Sequence, residues 1–204
     1  MAGCTPGKLL LDPFCGVGTI LQEALLIKAK VLGVDINPWC VKATKENLDW
    51  LKKEYGLEET EYRVIQADVH KIVEKIGCEE VDCIATEPDL GPALRHVPTV
   101  KYANGIIKKL EPLYHIFLEL SYKLLRKDGR LVLVTPYIQT RSGQPVTMPI
   151  EEARKKSGFK MVGPFRIEDF AKSSVAQENL AKKTALVDVK KRHKIGREIH
   201  IFQK

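Results

Sequence analysis

A chain of 204 residues with 44% apolar and 7% aromatic side chains is large enough for one full core, and its composition excludes a disordered polymer. No apolar run approaches the ~20 residues that span a bilayer and no basic-then-apolar leader opens the sequence, so a cytoplasmic protein rather than a membrane or secreted one is expected. The net charge of +7 is uneven: residues 151–204 hold 14 Lys and Arg against 7 Asp and Glu, while residues 1–150 hold 19 of each.

In chain order, strand signals alternate with helix signals. "KLLLDPF" is a short apolar run ending at Pro13, and "TILQEALLIKA" has apolar residues at helical spacing. "KVLGVDI" reads as a buried strand. Asn37 and Pro38 then start a helix as N-cap and first residue, with an apolar stripe of Val41, Ala43, Leu48 and Leu51. "EYRVIQAD" is a third strand, "VHKIVEKIG" a short helix closed by Gly77, and "EVDCIATE" a fourth strand. "PLYHIFLELSYKLLRKDG" predicts an amphipathic helix with Pro112 early and Gly129 as its stop, followed by the strand "RLVLVTPY". "QTRSGQPVTMP" reads as a loop and "IEEARKKSG" as a helix. "FKMVGPFRI" and "REIHIFQK" read as strands, with "KTALVDVKK" a further strand candidate.

Such alternation predicts an α/β fold: a Rossmann-like, doubly wound, mostly parallel seven-stranded sheet with an antiparallel C-terminal edge strand. No linker or repeat interrupts it, so residues 1–204 are read as one domain. Cys4, Cys15, Cys40, Cys78 and Cys83 lack CxxC spacing and read as reduced, mostly buried thiols. His70, His96, His115, His193 and His200 do not fall at metal-ligand spacing, so no metal is expected. Ser173 and Ser174 carry no sign of nucleophile activation, and Trp39 and Trp50 are expected to pack. The basic run Lys190–Arg197 suits either a solvated hairpin turn or a nucleic-acid contact.

The chemistry concentrates in "LLLDPFCGVGTI". In an open α/β sheet, ligands sit at the carboxyl ends of the strands. Gly16 and Gly18 let backbone approach a ligand there. Asp35 ends the second strand about 20 residues on, where a carboxylate meets a ribose, and Asp68 ends the third, level with an adenine. A dinucleotide site wants GxGxxG facing a pyrophosphate, but "CGVGTI" lacks the third glycine and Asp12 precedes it. Asp12 repels phosphate and attracts a cationic amine. S-adenosylmethionine, with an ammonium, a sulfonium, an adenosine and no phosphate, therefore fits better than a nicotinamide dinucleotide.

"LLLDPFCGVGTILQEALL", "VLGVDINP" and "ATEPDLGP" together resemble the class I methyltransferases that modify exocyclic amines, most nearly the catalytic domain of the UPF0020-like tRNA guanosine-N2 methylases. The resemblance implies that Asp12, Pro13, Phe14, Cys15, Gly16, Gly18 and Thr19 surround the methionine part of S-adenosyl-L-methionine, with Cys15 lining the pocket. It implies further that Asp35 binds the ribose, Ile36 packs on the adenine, and Asp68 and Val69 meet its amino end. It makes RNA, in particular tRNA, the expected partner. Relatives carry a helix and an RNA-binding THUMP domain ahead of the segment where this chain begins, so RNA capture would fall to the basic tail or to a separate subunit unless the chain is a fragment.

Such methylases end the fourth strand in Asp/Asn/Ser-Pro-Pro-aromatic. A side-chain oxygen and a backbone carbonyl accept the amine's hydrogens and restore electron density on nitrogen, while the ring stacks on the base. Positioning of this kind supplies up to roughly 7–11 kcal/mol of a barrier. Here the four positions are Glu87, Pro88, Asp89 and Leu90. Glu87 keeps a carboxylate on a longer arm, and Leu90 lacks the ring, leaving Tyr102 or His96 in the following loop to stack. Three functions stay open at this point: an RNA amine methylase, a DNA adenine N6-methylase, and a non-catalytic module that keeps the fold and binds RNA or a partner protein.

Overall fold

The computed structural model describes residues 1–77, 80–163, 185–189 and 193–204. Five strands run parallel: β1 (Leu9–Asp12), β2 (Lys30–Asp35), β3 (Tyr62–Gln66), β4 (Val81–Thr86) and β5 (Leu125–Ile138). β6 (Val146–Thr147) folds back on β5, and β9 (Ile195–Gln203) lies antiparallel along β5 from Arg130 to Ile138. β7 (Lys160–Met161) and β8 (Leu186–Asp188) both pair with β9. The sheet order is β3-β2-β1-β4-β5-β9-β7, the seven strands expected, with the short β6 and β8 added. The order reverses between β1 and β4, and that is where an open α/β sheet opens its ligand crevice.

Strand alternation sends side chains to two layers. Leu10, Val31, Val64 and Cys83 face a core shared with Leu21, Leu25 and Leu48 of α1 (Thr19–Leu26) and α2 (Pro38–Tyr55). Leu11, Leu32, Val34, Ile84, Leu131 and Leu133 face the opposite layer. Ile72 of α3 (Ile72–Ile76), Phe117 of α4 (Val100–Leu124) and Ala153 of α5 (Glu151–Ser157) fill that side. Burying each large side chain contributes about 1.5–3 kcal/mol, so both layers are needed to hold the sheet.

The α1 layer leaves no room at Gly33. A Cβ there would lie 2.5 Å from Leu21 Cδ1 and 3.1 Å from Cys15 Sγ, both on fully packed side chains. Gly33→Ala is expected to destabilise the chain by about 1–3 kcal/mol, read as a lower urea midpoint with an unchanged slope.

Four expectations need correction. The stripe of α2 buries Thr44, not Ala43, because helical spacing sets Thr44 on the face of Val41, Leu48 and Leu51. The long helix α4 begins at Val100, twelve residues before Pro112, with the Thr99 hydroxyl accepting the Tyr102 N–H at 3.3 Å. Pro112 sits inside it. Lys108 and Pro112 are both exposed, so the hydrogen bond that proline forgoes falls on the solvent side of the helix. Gly129 stops no helix: α4 ends at Leu124 and Leu125 already pairs with Val81 of β4. The β4–β5 register then shifts, and at Gly129 a Cβ would meet the Arg126 carbonyl at 2.9 Å. Trp39 and Trp50 are exposed on α2, 65% and 56%, rather than packed.

Of the cysteines, Cys15 and Cys83 are buried and Cys4 and Cys40 half-buried, all free, while Cys78 lies outside the described residues. The last four residues of "FKMVGPFRI", the ends of "KTALVDVKK", Ser173, Ser174 and Lys190–Arg192 lie outside them as well.

Candidate active site at the sheet's switch point

The turn from β1 into α1 is stapled from two neighbours. Gly16 and Gly18 take left-handed backbone, φ 53° and 86°, and Gly18 caps α1. The Cys15 N–H donates to the Val34 carbonyl at 3.0 Å, and the Gly16 N–H donates to Asp35 Oδ2 at 2.9 Å. Asp35 Oδ1 accepts the Asn37 N–H at 2.8 Å. From α2, the Thr44 hydroxyl donates to the Gly16 carbonyl at 2.8 Å, and a Cβ on Gly18 would lie 2.8 Å from Thr44 Cγ2. Thr44 is therefore a turn-positioning residue that sequence periodicity missed. Cys15 does not line the crevice: its side chain is buried among Leu21, Gly33 and Thr44, and burial pushes its thiol up to about 12.

Asp12, at the end of β1, is 2% exposed. Its Oδ1 accepts the Thr86 hydroxyl at 2.6 Å and the Phe14 N–H at 3.2 Å. Desolvation outweighs those bonds, and the nearby Asp35 and Glu87 carboxylates add to it, so its carboxyl is pushed up to about 7. Among the described residues no basic side chain pairs with it. A buried carboxylate among other carboxylates suits an incoming cation and opposes a phosphate.

Beside this turn lies a cavity of about 290 Å³, lined by Pro13, Phe14, Asp35, Ile36, Ala67, Asp68, Val69, His70, Asp89 and Leu113. The walls are its useful feature: Ile36 is 65% exposed at one side, and Phe14 is braced edge-to-face on Phe117 with centroids 5.4 Å apart. Asp68 Oδ1 accepts the His70 backbone N–H at 2.9 Å and contacts His70 Nδ1 at 2.6 Å, and these bonds hold its carboxyl below the usual range. Seven of the sequence-predicted residues thus meet in one cavity: Pro13, Phe14, Asp35, Ile36, Asp68 and Val69 of the cofactor set, and Asp89 of the turn after β4. Gly16, Gly18 and Thr19 shape the turn without lining the cavity.

The turn after β4 carries Glu87–Leu90. Pro88 is buried and Asp89 exposed, and Asp89 Oδ1 accepts the Gly91 N–H at 2.8 Å. The buried Tyr114 of α4 donates its hydroxyl to the Asp89 carbonyl at 3.0 Å, fixing the turn from below. Glu87 is gripped by Arg197 of β9: Nε to Oε2 at 2.6 Å and Nη2 to Oε1 at 2.8 Å. That bidentate pair holds the Arg197 guanidinium above its ordinary range. The sequence reading gave Arg197 only as part of a basic run; its partner lies 110 residues away. Tyr102 is on the first turn of α4, not in a loop, and 57% exposed, while His96 remains in the loop.

A family model described as UPF0020, RMKL-like, methyltransferase domain matches residues 1–142, which contain both turns. This chain belongs to the UPF0020 methyltransferase family. It is 34% identical over 137 residues to the tRNA (guanine(10)-N2)-dimethyltransferase of Methanothermobacter thermautotrophicus, covering 67% of this chain and 35% of that one. It is 31% identical over 156 residues to the protein of the same name in Pyrococcus abyssi, covering 76% and 39%. The chain thus spans little more than a third of the length of these UPF0020-type relatives. Among solved structures, TrmN from Thermus thermophilus superposes with a TM-score of 0.59 at 20% identity, covering 100% of this chain and 46% of that chain. Magnesium protoporphyrin IX methyltransferase from Synechocystis PCC 6803 with bound SAM gives 0.58 at 14%, covering 98% and 71%. These neighbours share the Rossmann-like fold.

Proposed function

We propose that this chain is a catalytic unit that transfers a methyl group from S-adenosyl-L-methionine to an exocyclic amine of RNA, with N2 of a tRNA guanosine as acceptor. The observation that carries the donor is Asp12: a buried carboxylate without a cationic partner among the described residues, beside a cavity with an acidic and an apolar wall. The acceptor rests on the similarity to relatives named as tRNA (guanine(10)-N2)-dimethyltransferases.

In this assignment Asp12 takes the donor's ammonium and Asp35 the ribose hydroxyls. Each Asp35 oxygen has one lone pair spare beside the backbone N–H it already accepts. Ile36 and Phe14 pack on the adenine, with Asp68 and Val69 at its amino end. When bound, the donor supplies an electrophilic methyl group on a sulfonium, whose sulfide leaves uncharged. Glu87 and the Pro88 carbonyl accept the hydrogens of the acceptor amine, and Glu87 holds the proton that nitrogen gives up before it passes to water. The relatives' greater length leaves RNA capture to be shared with a further domain or subunit.

The test is calorimetric titration with S-adenosylmethionine followed by tritium transfer to unmodified tRNA. Donor binding with label in a guanosine N2 product is expected. Label in a DNA adenine would redirect the acceptor. Binding without transfer to any nucleic acid would favour a non-catalytic module, a role in which the Glu87–Arg197 pair would serve only as a strut.

A further inference from the structure

Two more hollows meet the turn that carries Glu87. The larger, about 780 Å³, lies along α4 between Asp89, Thr99, Lys101, Tyr102, Ile106 and Lys109. The smaller, about 320 Å³, is a cleft between Leu90–Leu94 and His193–Arg197. The cleft reaches the surroundings of Glu87 through Arg197, which both grips Glu87 and forms part of the cleft wall. The rest of its wall divides by chemistry: Leu90, Leu94 and Ile195 are apolar, His193 and Lys194 are basic, and no carboxylate is among the described residues that line it.

We propose that this cleft is the acceptor-nucleotide pocket, taking one unpaired RNA nucleotide with its base against Leu90, Leu94 and Ile195 and its phosphate at Lys194. The assignment rests on the proposed methyl transfer to RNA. A cleft of this volume is at the small end of ligand pockets and admits a single nucleotide, not a duplex. An amine engaged in base pairing is out of reach, so its nucleotide must leave the stack before it meets Glu87. The apolar wall then stands where such methylases present an aromatic ring, with aliphatic packing from Leu90, Leu94 and Ile195 and a point charge at Lys194 in place of stacking.

The pocket is tested by cross-linking. Unmodified tRNA transcribed with 6-thioguanosine is irradiated on the chain in the presence of S-adenosylhomocysteine, and adducts are mapped by peptide mass spectrometry. Adducts within residues 90–94 and 193–197 are expected. In the transfer assay, Lys194→Ala should raise KM for tRNA several-fold, leave kcat and donor affinity unchanged, and flatten the dependence of log KM on log salt by roughly one. Adducts confined to residues 99–110, with Lys109→Ala and not Lys194→Ala raising KM, overturn the pocket while leaving RNA methylation intact. No adduct anywhere, with donor product bound, overturns RNA as acceptor and the pocket with it.

Discussion

Replacing Asp12 by asparagine is expected to make the protein more stable and unable to capture its donor. Both hydrogen bonds to this side chain arrive at Oδ1, from Thr86 and Phe14, so the amide oxygen of asparagine inherits them. What disappears is a buried charge. The carboxyl stands at about 7 against an ordinary 3.8, so the folded state favours the protonated form. Stability therefore declines as pH rises from about 4 to about 7, and the whole penalty is present above 7. At 1.36 kcal/mol per pH unit, that interval corresponds to about 4 kcal/mol. Asparagine escapes it, less the cost of seating an amide N–H₂. A rise in Tm of about 5–10 °C at pH 8 follows, shrinking as pH falls toward 4. Donor binding moves the other way. In the wild-type chain about one-tenth of Asp12 is ionised at pH 6 and about nine-tenths at pH 8, so Kd for S-adenosylmethionine should fall, and binding tighten, by about tenfold from pH 6 to pH 8. In Asp12→Asn, calorimetry should find no binding at either pH. A variant that binds as tightly as wild type, or that melts earlier at pH 8, removes Asp12 from the cationic-donor role.

The parts of this site legible in the sequence are those governed by neighbours in the chain. Asn37 and Pro38 announce the start of α2, and the Asn37 side chain does accept the Trp39 N–H at 2.9 Å. Asp12 and Asp35 fall at strand ends because apolar runs set the strand lengths, whereas Asp68 lies two residues past the end of β3, capping the short helical turn Val69–Lys71. Contacts between distant segments were not legible. Thr44 shares the helical face of Val41, Leu48 and Leu51, but its hydroxyl argues for the surface until its acceptor is seen, the Gly16 carbonyl 28 residues away in sequence. The start of α4 was hidden by Gly105 and by lysines at positions 101, 108 and 109, which dilute its apolar stripe, while Pro112 imitated a first residue. Its burial of Ala103, Ile106 and Ile107 comes from packing against the sheet, which outweighs local propensity. Arg197 shows the same limit: a charge in a basic run has no visible partner until β9 is laid against β5 with Arg197 opposite Pro136.

That pairing gives the second large expected effect. Glutamate reaches further than the aspartate, asparagine or serine of related methylases, and its extra rotor would let the carboxylate wander from the acceptor amine. The Arg197 fork removes that freedom while using two of the carboxylate's roughly four acceptor sites, leaving the others for the amine's hydrogens. Glu87→Gln keeps the shape but swaps one oxygen for a donor that faces either Arg197 or the amine. It should lower kcat by about 10²–10³ with Kd for S-adenosylmethionine unchanged, in line with the loss of one preorganised electrostatic contact. Arg197→Lys retains the charge without the fork and should lose less, about tenfold in kcat, and Arg197→Ala should regain activity when guanidinium ion is added at non-denaturing concentration. Because Glu87 and Arg197 are each about one-third exposed, breaking the pair should change stability by no more than about 1 kcal/mol, so activity and folding losses separate cleanly. Wild-type turnover in Glu87→Gln would remove Glu87 from the chemistry. Loss of donor binding in the same variant would make the pair a structural strut, with the proton acceptor to be sought elsewhere on the turn.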